Sequence, residues 1–382
     1  MFDALIEFVR KWYDTAQPIP LHAPTFTALD KEFVLDAIDS TFVSSVGRYV
    51  DRFEERLADY TGAKRAVAIV NGTAALQVAL RLLGVETGDE VITQPLTFVA
   101  TANAIAHQGA QPVFVDVDQD TMGLSPHALQ SWLQANAEIK DNIPYNRHAG
   151  HRIAAIVPMH TFGHPCRIKE IMEISQQWSI PVVEDAAEAL GSWTGRKHCG
   201  TLAHAGVLSF NGNKTITCGG GGAILTNNKN LADRAKHLTT TAKVPHPWEF
   251  EHDEVGYNYR MPNLNAALAC AQMERLDAIL KEKRALAHAY QDFFQDQSWA
   301  NFCKEPEGSR SNYWLCAVAM KNETLRDKFL QTTNKAGIMT RPAWKLMNEL
   351  PMYCNCQSGL LKNAKLLRQH IVNLPSGVRS NG

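Results

Sequence analysis

The most constraining feature of this 382-residue chain is an alternation of short apolar runs with helical patterns between about residues 60 and 243. The run at 65–70 (RAVAIV) precedes a helical pattern at 72–83 (GTAALQVALRLL), and a later run spans 153–159 (IAAIVPM). Strands that are apolar along their whole length are buried on both faces. Their alternation with helices predicts an α/β fold with a mostly parallel sheet between helices.

The chain is predicted to contain three segments. Residues 60–243 form the large domain, and Pro245 and Pro247 mark the connection that follows it. Residues 244–382 are predicted to form a smaller C-terminal α/β domain. Residues 1–59 are predicted as helices that pack on this small domain and at an interface. A content of 45% hydrophobic residues is sufficient for more than one core.

Composition and charge argue against nucleic-acid and membrane partners. The net charge is −1 and basic residues are scattered, so no global field attracts anionic polymers or membranes. Asp3 and Glu7 interrupt the apolar stretch that a signal peptide needs, and no apolar run could span a bilayer. Eight cysteines form no dense framework, which indicates reduced thiols and a cytoplasmic location. Cys354 and Cys356 lack a matching second pair, so we expect no metal site.

Glycines and polar residues after the predicted strands are the candidate ligand-binding groups, because ligands of parallel sheets bind at the carboxyl ends of strands. Gly72, Thr73 and Ala74 follow the first strand and open a helix. Glycine allows close approach to the backbone, and the free N–H groups of a helix start attract anions. These residues favour a phosphate, and a tight turn capped by Asn71 or Thr73 is the alternative.

An aromatic residue and three carboxylates follow two other strands. Phe98 either belongs to the core or stacks on a planar ring. Glu184, Asp185 and Glu188 lie at the end of an apolar strand, where a carboxylate is costly to bury unless it is paired. Asp185 therefore either caps a helix or faces a cationic nitrogen.

A lysine follows the strand that ends near Ser209. Asn211 and Lys214 come next, and four consecutive glycines begin at Gly219. A lysine beside a buried strand end loses solvation, and a neutral amine can attack a carbonyl. The glycines leave room for a bulky ligand against the backbone. The alternative is a surface lysine whose amine reaches water.

Taken together, these groups match pyridoxal 5′-phosphate. Its phosphate would bind at residues 72–73 and Ser209, and its ring would lie against Phe98. Its ring nitrogen would face Asp185, and its aldehyde would react with Lys214. A lysine that binds the aldehyde and an acidic partner for the pyridine nitrogen are the general features of such sites.

The chain resembles the DegT/DnrJ/EryC1/StrS family of sugar aminotransferases, which are fold-type I pyridoxal phosphate enzymes. The matching segments extend in family order from about residue 42 to about residue 268: NGTAAL, PLTFVATANAI, PVFVDVD, IPVVEDAAEALGS, GVLSFNGNK and GYNYRMPNLNAAL. The resemblance implies a homodimer whose active sites are shared between the subunits.

The resemblance also implies roles for individual residues. Lys214 would bind the cofactor aldehyde and act as the base, while Asp185 would keep the ring nitrogen protonated. Asn258 would reach the phosphate of the neighbouring subunit's cofactor. The implied cofactor-binding set is completed by Gly72, Thr73, Ala74, Phe98, Glu188, Ser209 and Asn211.

Three positions bear on how closely the chain follows the family. Many members have His at the position of Asn211, and many have Gly-Glu-Gly where residues 218–222 read CGGGG. These departures concern substrate placement rather than the cofactor. Relatives that dehydrate their substrate carry His in place of the lysine, so Lys214 favours transamination.

The segments PLTFVATANAI, HTFGHPC and SFNGNK are most similar to the branch that aminates C4 of UDP- or GDP-linked 4-keto-6-deoxyhexoses. Products of that branch lead to bacillosamine or legionaminic acid, and L-glutamate would be the amino donor. The diphosphate needs cations, for which the candidates are Arg260, Arg341 and Lys345. Trp344 would stack on a base or sugar, and His160 would line the pocket. The alternatives are ordinary strand and loop at 340–345 and a hydrogen-bonded loop histidine at position 160.

Three competing functions remain open from the sequence. The first is another pyridoxal phosphate reaction on a nucleotide sugar, such as dehydration or amination at C3. The second is a non-catalytic regulator that binds the same cofactor, although the short N-terminal segment lacks the basic character of a DNA-binding module. The third is a nicotinamide-dependent enzyme, which would need G-x-G-x-x-G after the first strand, where NGTAAL stands.

Overall fold

The computed structural model describes residues 2–379 of the chain. Helices make up much of it, and in chain order they are α1 (Asp3–Tyr13), α2 (Ala28–Asp39), α3 (Arg48–Thr61), α4 (Gly72–Leu82), α5 (Val99–Ala106), α6 (Pro126–Asn136), α7 (Ile168–Trp178), α8 (Lys229–Thr239), α9 (Asn263–Glu274), α10 (Leu276–Gln295), α11 (Glu323–Lys335) and α12 (Lys362–His370). Two short 3-10 helices span Thr161–Gly163 and Met347–Glu349.

The strands fall into one large sheet, one smaller sheet and several short pairs. In chain order they are β1 (Arg65–Ile69), β2 (Glu90–Thr93), β3 (Gln111–Phe114), β4 (Ala137–Lys140), β5 (Ile143–Asn146), β6 (Ile153–Val157), β7 (Val183–Asp185), β8 (Trp193–Thr194), β9 (Lys197–His198), β10 (Ala205–Ser209), β11 (Gly222–Thr226), β12 (Lys243–Val244), β13 (Glu251–His252), β14 (Ala300–Phe302), β15 (Ser309–Arg310), β16 (Cys316–Met320), β17 (Arg341–Pro342) and β18 (Ile371–Leu374).

The large sheet has the strand order β3-β2-β6-β7-β10-β11-β1. Parallel bridges from Ile156 to Val182 and from Met159 to Asp185 join β6 to β7. β11 pairs antiparallel with both β10 and β1, and the other pairings are parallel. Every residue of β6, β10 and β11 is buried, as continuous apolar strands predict. The predicted mostly parallel sheet is confirmed.

Side-chain caps fix where several helices begin. The Asn71 side chain accepts a hydrogen bond from the Ala74 N–H at the start of α4. Ser125 caps α6, and Pro126 is the first residue of the helix. The Asn322 side chain accepts a hydrogen bond from the Leu325 N–H at the start of α11.

The C-terminal part of the chain contains a four-stranded antiparallel sheet of order β14-β16-β18-β17. Its core includes α1 and α10, with Leu5, Val9, Tyr290 and Phe294 packed together. Two consecutive helices, α9 and α10, occupy residues 263–295. Arg275, with φ −106° and ψ −2°, lies between them.

The N-terminal helices divide between two cores. α1 joins the C-terminal sheet, whereas α2 and α3 pack on α9 and contribute Ala37, Phe53 and Leu57 to a core that also contains β1 and β10 residues. The boundaries 1–59, 60–243 and 244–382 stay a prediction. None of the helices within residues 2–379 is long and apolar enough to cross a membrane.

Candidate active site

A cleft of about 910 Å³ lies at the carboxyl ends of the large sheet and is closed on its other side by residues of the C-terminal part. It brings together residues that are far apart in the sequence. The predicted site residues that line it are Gly72, Thr73, Phe98, Asp185, Glu188, Ser209, Asn211, Lys214, Arg341, Trp344 and Lys345.

Lys214 lies in the cleft with 12% of its side chain exposed. Its Nζ is 3.5 Å from Oε1 of Glu188 and 4.1 Å from the centroid of the Trp314 ring. The Trp314 indole N–H donates to the Asn213 carbonyl at 2.7 Å, which fixes the ring beside the amine. Lys214 is therefore a largely buried amine between a carboxylate and an aromatic face, not a surface lysine.

Glu188 is the buried carboxyl partner of this amine. Its Oε2 accepts a hydrogen bond from the Phe162 N–H at 2.9 Å. Burial raises the pKa of Glu188 to about 7, while the charge of Lys214 and the Phe162 N–H act in the opposite direction. This carboxyl can therefore exchange a proton near neutral pH.

Asp185 ends β7 at the floor of the cleft and is held from two sides. Its Oδ2 accepts from Oγ1 of Thr101 at 2.7 Å, and its Oδ1 accepts from the Ala187 N–H at 3.2 Å. Burial raises the pKa of Asp185, and these donors together with the charges of Lys214 and His160 oppose that shift. A cationic ring nitrogen beside this carboxylate would stabilise its charged form.

The start of α4 forms an anion cradle. The amides of Gly72 and Thr73 have no hydrogen-bond partner within the described residues, as expected for the first turn of a helix. A Cβ atom on Gly72 would lie 3.0 Å from the Cβ atom of Ser209, so the glycine lets this turn approach β10. The predicted helix cap by Asn71 is also present, and the two interpretations of this turn coexist.

Ala74 lies outside the cleft. It was predicted to bind the cofactor, but its N–H donates to Oδ1 of Asn71 at 2.8 Å and the residue does not line the cleft. The cap thus uses the third amide of the turn, which leaves those of Gly72 and Thr73 for an anion.

Two predicted substrate-binding residues also lie outside the cleft. His160 is fully buried, its Nε2 is 3.0 Å from Oε2 of Glu184, and its Nδ1 accepts from the Cys166 N–H. Arg260 is 5% exposed and pairs with Glu54 at 2.7 Å. Both side chains are bound within the protein, and neither lines the cleft. That they contact substrate stays a prediction.

Asn258 is exposed and does not line the cleft of its own chain. Its predicted contact with the partner's cofactor stays a prediction.

The outer wall of the cleft carries two cations and two aromatic rings. Arg341 and Lys345 are exposed there, and Nη1 of Arg341 donates to Oδ1 of Asn334 at 3.1 Å. Trp344 lies between Phe98 and Phe162, with ring centroids 6.3 Å and 4.9 Å away. Half of the Phe98 surface is exposed, so this ring is available to a ligand.

Several cleft residues were missed by sequence reasoning. Thr101 lies one turn into a predicted helix, and only the fold brings it to Asp185. His22, Trp314 and Asn373 reach the cleft from both ends of the chain. No spacing or motif in the sequence signals these contacts.

The residues present fit a phosphorylated pyridine aldehyde. Two free amides at a helix start suit its phosphate, and a buried carboxylate held by Thr101 suits a protonated ring nitrogen. Lys214 suits its aldehyde. The fold and site together define an enzyme that works through a lysine-bound pyridine cofactor.

Comparisons with known proteins agree with this class. The DegT/DnrJ/EryC1/StrS aminotransferase family matches residues 24–381. The chain is 36% identical to a GDP-perosamine synthase of Escherichia coli O157:H7 over 88% of this chain and 87% of that protein. It is 35% identical to EpsN of Bacillus subtilis (strain 168), named a putative pyridoxal phosphate-dependent aminotransferase, over 88% of this chain and 84% of that protein. The crystal structure of the aminotransferase TlmJ from Streptoalloteichus hindustanus superposes with a TM-score of 0.85. The two sequences are 27% identical, and the superposition covers 94% of this chain and 93% of TlmJ.

The chain belongs to the DegT/DnrJ/EryC1/StrS aminotransferase family. It is a pyridoxal phosphate-dependent aminotransferase with the fold-type I architecture, so the predicted family, cofactor and fold are confirmed.

Proposed function

We propose that the protein transfers the amino group of L-glutamate to C4 of a nucleotide-linked 4-keto-6-deoxyhexose. The observation that carries the proposal is Lys214 in a large cleft that also holds Asp185 and an outer wall with two cations. Similarity to a GDP-perosamine synthase, whose name denotes an amino sugar linked to GDP, supports a nucleotide-sugar substrate and favours GDP. The products named from the sequence, bacillosamine and legionaminic acid, stay predictions.

Four groups of the chain would hold the cofactor. The amides of Gly72 and Thr73 would bind its phosphate together with Ser209, and Asp185 would bind its ring nitrogen. When bound, pyridoxal phosphate supplies an electron sink that makes the C–H bond next to the transferred nitrogen acidic.

Lys214 would carry the proton of the reaction. Its free amine would take the proton from the α-carbon of glutamate. Glu188, 3.5 Å away, fixes the position of that amine and stabilises its charged form. Trp314 covers the amine on another side, which limits access of water to it.

The outer wall would bind the nucleotide part of the substrate. Arg341 and Lys345 supply two positive charges for a diphosphate, and Trp344 offers a flat ring for a base or sugar. Each of these side chains lines the same cleft as Lys214. One substrate can therefore extend from the amine to the protein surface.

A homodimer would complete the site. Large apolar side chains are exposed on two stretches, Phe26, Phe42 and Val46 around α2, and Trp248 and Phe250 between β12 and β13. Trp248 and Phe250 are 77% and 79% exposed, which is unusual for a monomer surface and typical of an interface. We propose that these stretches contact a second copy, which would supply Asn258 to the cofactor phosphate.

The proposal is tested with a panel of 4-keto and 3-keto nucleotide sugars, carrying UDP or GDP, incubated with glutamate and the loaded enzyme. We expect one 4-keto sugar to gain an amino group by mass spectrometry, with an equal amount of 2-oxoglutarate formed. Amination of 3-keto sugars alone, or loss of water without 2-oxoglutarate, would instead support the competing reactions.

A further inference from the structure

Two polar side chains of the cleft wall have atoms that the protein leaves without a hydrogen-bond partner. Nδ1 of His22 and Oδ1 of Asn373 are both buried and make no hydrogen bond within the described residues. Both residues line the same cleft as Lys214, and Asn373 is 3% exposed. Buried polar atoms are normally paired, so two such atoms in one cleft indicate a ligand that pairs with them.

The His22 ring is oriented by a buried lysine. Nζ of Lys283 is 3.0 Å from Nε2 of His22, 2.6 Å from the Ser376 carbonyl oxygen and 3.2 Å from the Trp314 carbonyl oxygen. An ammonium group has three N–H donors, and the three acceptors around Nζ use all of them. Burial lowers the pKa of Lys283 to about 7, and the electrostatic effects of Cys316 and Glu282 act in the opposite direction.

This arrangement sets the tautomer of His22. Because Nε2 accepts from Lys283, the ring proton lies on Nδ1, and Nδ1 therefore acts as a donor. Burial lowers the pKa of His22, and the neighbouring charges of Lys283 and Lys214 lower it further. The ring therefore stays neutral. His22 thus offers one donor, its Nδ1–H, and Asn373 one acceptor, its amide oxygen, and both residues line the cleft.

We propose that His22 and Asn373 together bind a hydroxyl group of the sugar. A hydroxyl accepts from the His22 Nδ1–H and donates to the Asn373 oxygen, whereas the carboxylate of the amino donor has no proton for the second bond. The inference rests on the proposed function and specifies the substrate further. His22 and Asn373 are specificity-determining residues, and Lys283 positions His22.

The test separates the two halves of the reaction in single turnovers of the loaded enzyme, followed by cofactor absorbance. His22→Phe keeps a ring but removes the donor, so we expect the step with the keto sugar to slow about tenfold and the step with glutamate to stay unchanged. His22→Asn places an amide N–H near the Nδ1 position and should recover much of the loss. Equal loss in both variants, no loss, or slowing of the glutamate step would overturn the inference.

A second arm uses substrates that each lack one hydroxyl of the sugar. With one of these analogues, the wild-type enzyme should carry out the keto-sugar step about tenfold more slowly than with the full substrate. The His22→Phe variant should show no further decrease in that rate with the same analogue. Additive losses for all analogues would contradict the assignment.

A third arm measures the proton directly and does not depend on turnover. ¹⁵N-labelled histidine in the full-length protein should show His22 with its proton on Nδ1 at about pH 6, its signals identified by their absence in His22→Phe. A proton on Nε2 would overturn the inference. If the wild-type protein fails to aminate any keto sugar while the ring proton lies on Nδ1, the proposed function fails, and the hydroxyl assignment falls with it.

Discussion

Among single residues, Glu188 makes the stability of the protein depend on pH. Burial raises its pKa from 4.5 to about 7, so the folded protein keeps this proton at pH values where the unfolded chain has lost it. The free energy of unfolding therefore falls as the pH rises from about 4.5 to about 7, because the folded state binds more protons there.

The Glu188→Gln variant tests this linkage in the cofactor-free protein. We expect the loss of stability between about pH 5 and 7.5 to be smaller in the variant, by up to about 3 kcal/mol. Urea unfolding of the two proteins at both pH values measures the change in the free energy of unfolding. The contributions of titrating groups that both proteins share cancel when the two changes are compared. An identical pH dependence in the two proteins would show that Glu188 titrates normally.

Thr101 is the residue on which the charge of Asp185 depends most directly. Thr101→Val removes the 2.7 Å hydrogen bond to Oδ2, so the pKa of Asp185 rises further and the carboxylate is less available to a ring nitrogen. We expect kcat to fall by about tenfold or more, with Thr101→Ser close to wild type. Steady-state kinetics with glutamate check this, and equal rates for the Val and Ser variants would refute it.

At the scale of elements, the start of α4 joins a helix cap to an anion cradle. Asn71→Ala removes the cap, which should cost about 1 kcal/mol of stability, and loosens the turn that carries the Gly72 and Thr73 amides. We therefore expect weaker binding of pyridoxal phosphate as well, measured by equilibrium dialysis.

Ser125→Ala is the matched control for that experiment. It removes the equivalent cap of α6, which does not line the cleft. We expect a similar loss of stability and unchanged affinity for the cofactor. If both variants bind the cofactor equally well, the α4 turn is a structural cap without a role in binding.

The elements also show how far sequence reasoning reaches. The strand-end residues Gly72, Asp185 and Lys214 were predicted correctly to share a cleft, because a parallel sheet places the ends of its strands at one edge. The direction of a side chain is not fixed by that rule, and His160 lies beside the same edge yet points into the core. Ala74 lies outside the cleft and its amide donates to the Asn71 side chain, a contact that sequence spacing does not reveal.

Residues from distant segments were beyond prediction for a different reason. His22 belongs to an extended stretch after α1, and Lys283 to the middle of α10. Their contact depends on how the two ends of the chain pack around Ser376, and local patterns carry no information about that. The local sequence also gives no sign of the boundary between α9 and α10 at Arg275, because no proline or glycine stands there.

At the scale of the whole molecule, the proposed dimer with shared active sites predicts complementation. Lys214→Ala and Asn258→Asp should each be inactive alone, since one lacks the amine and the other brings a negative charge to the partner's phosphate. Refolded or exchanged together, they should recover about a quarter of wild-type activity, because mixed dimers contain one intact site. A monomer by analytical ultracentrifugation, or no recovery on mixing, would contradict the shared site.

The central claim is a covalent bond between the amine of Lys214 and the cofactor aldehyde. Reduction of the loaded protein with borohydride, followed by peptide mapping, tests it most directly. We expect one pyridoxyl group on Lys214 and none in Lys214→Arg, which keeps the positive charge of the lysine. A pyridoxyl group on another lysine, or none in the loaded wild-type protein, would contradict the account.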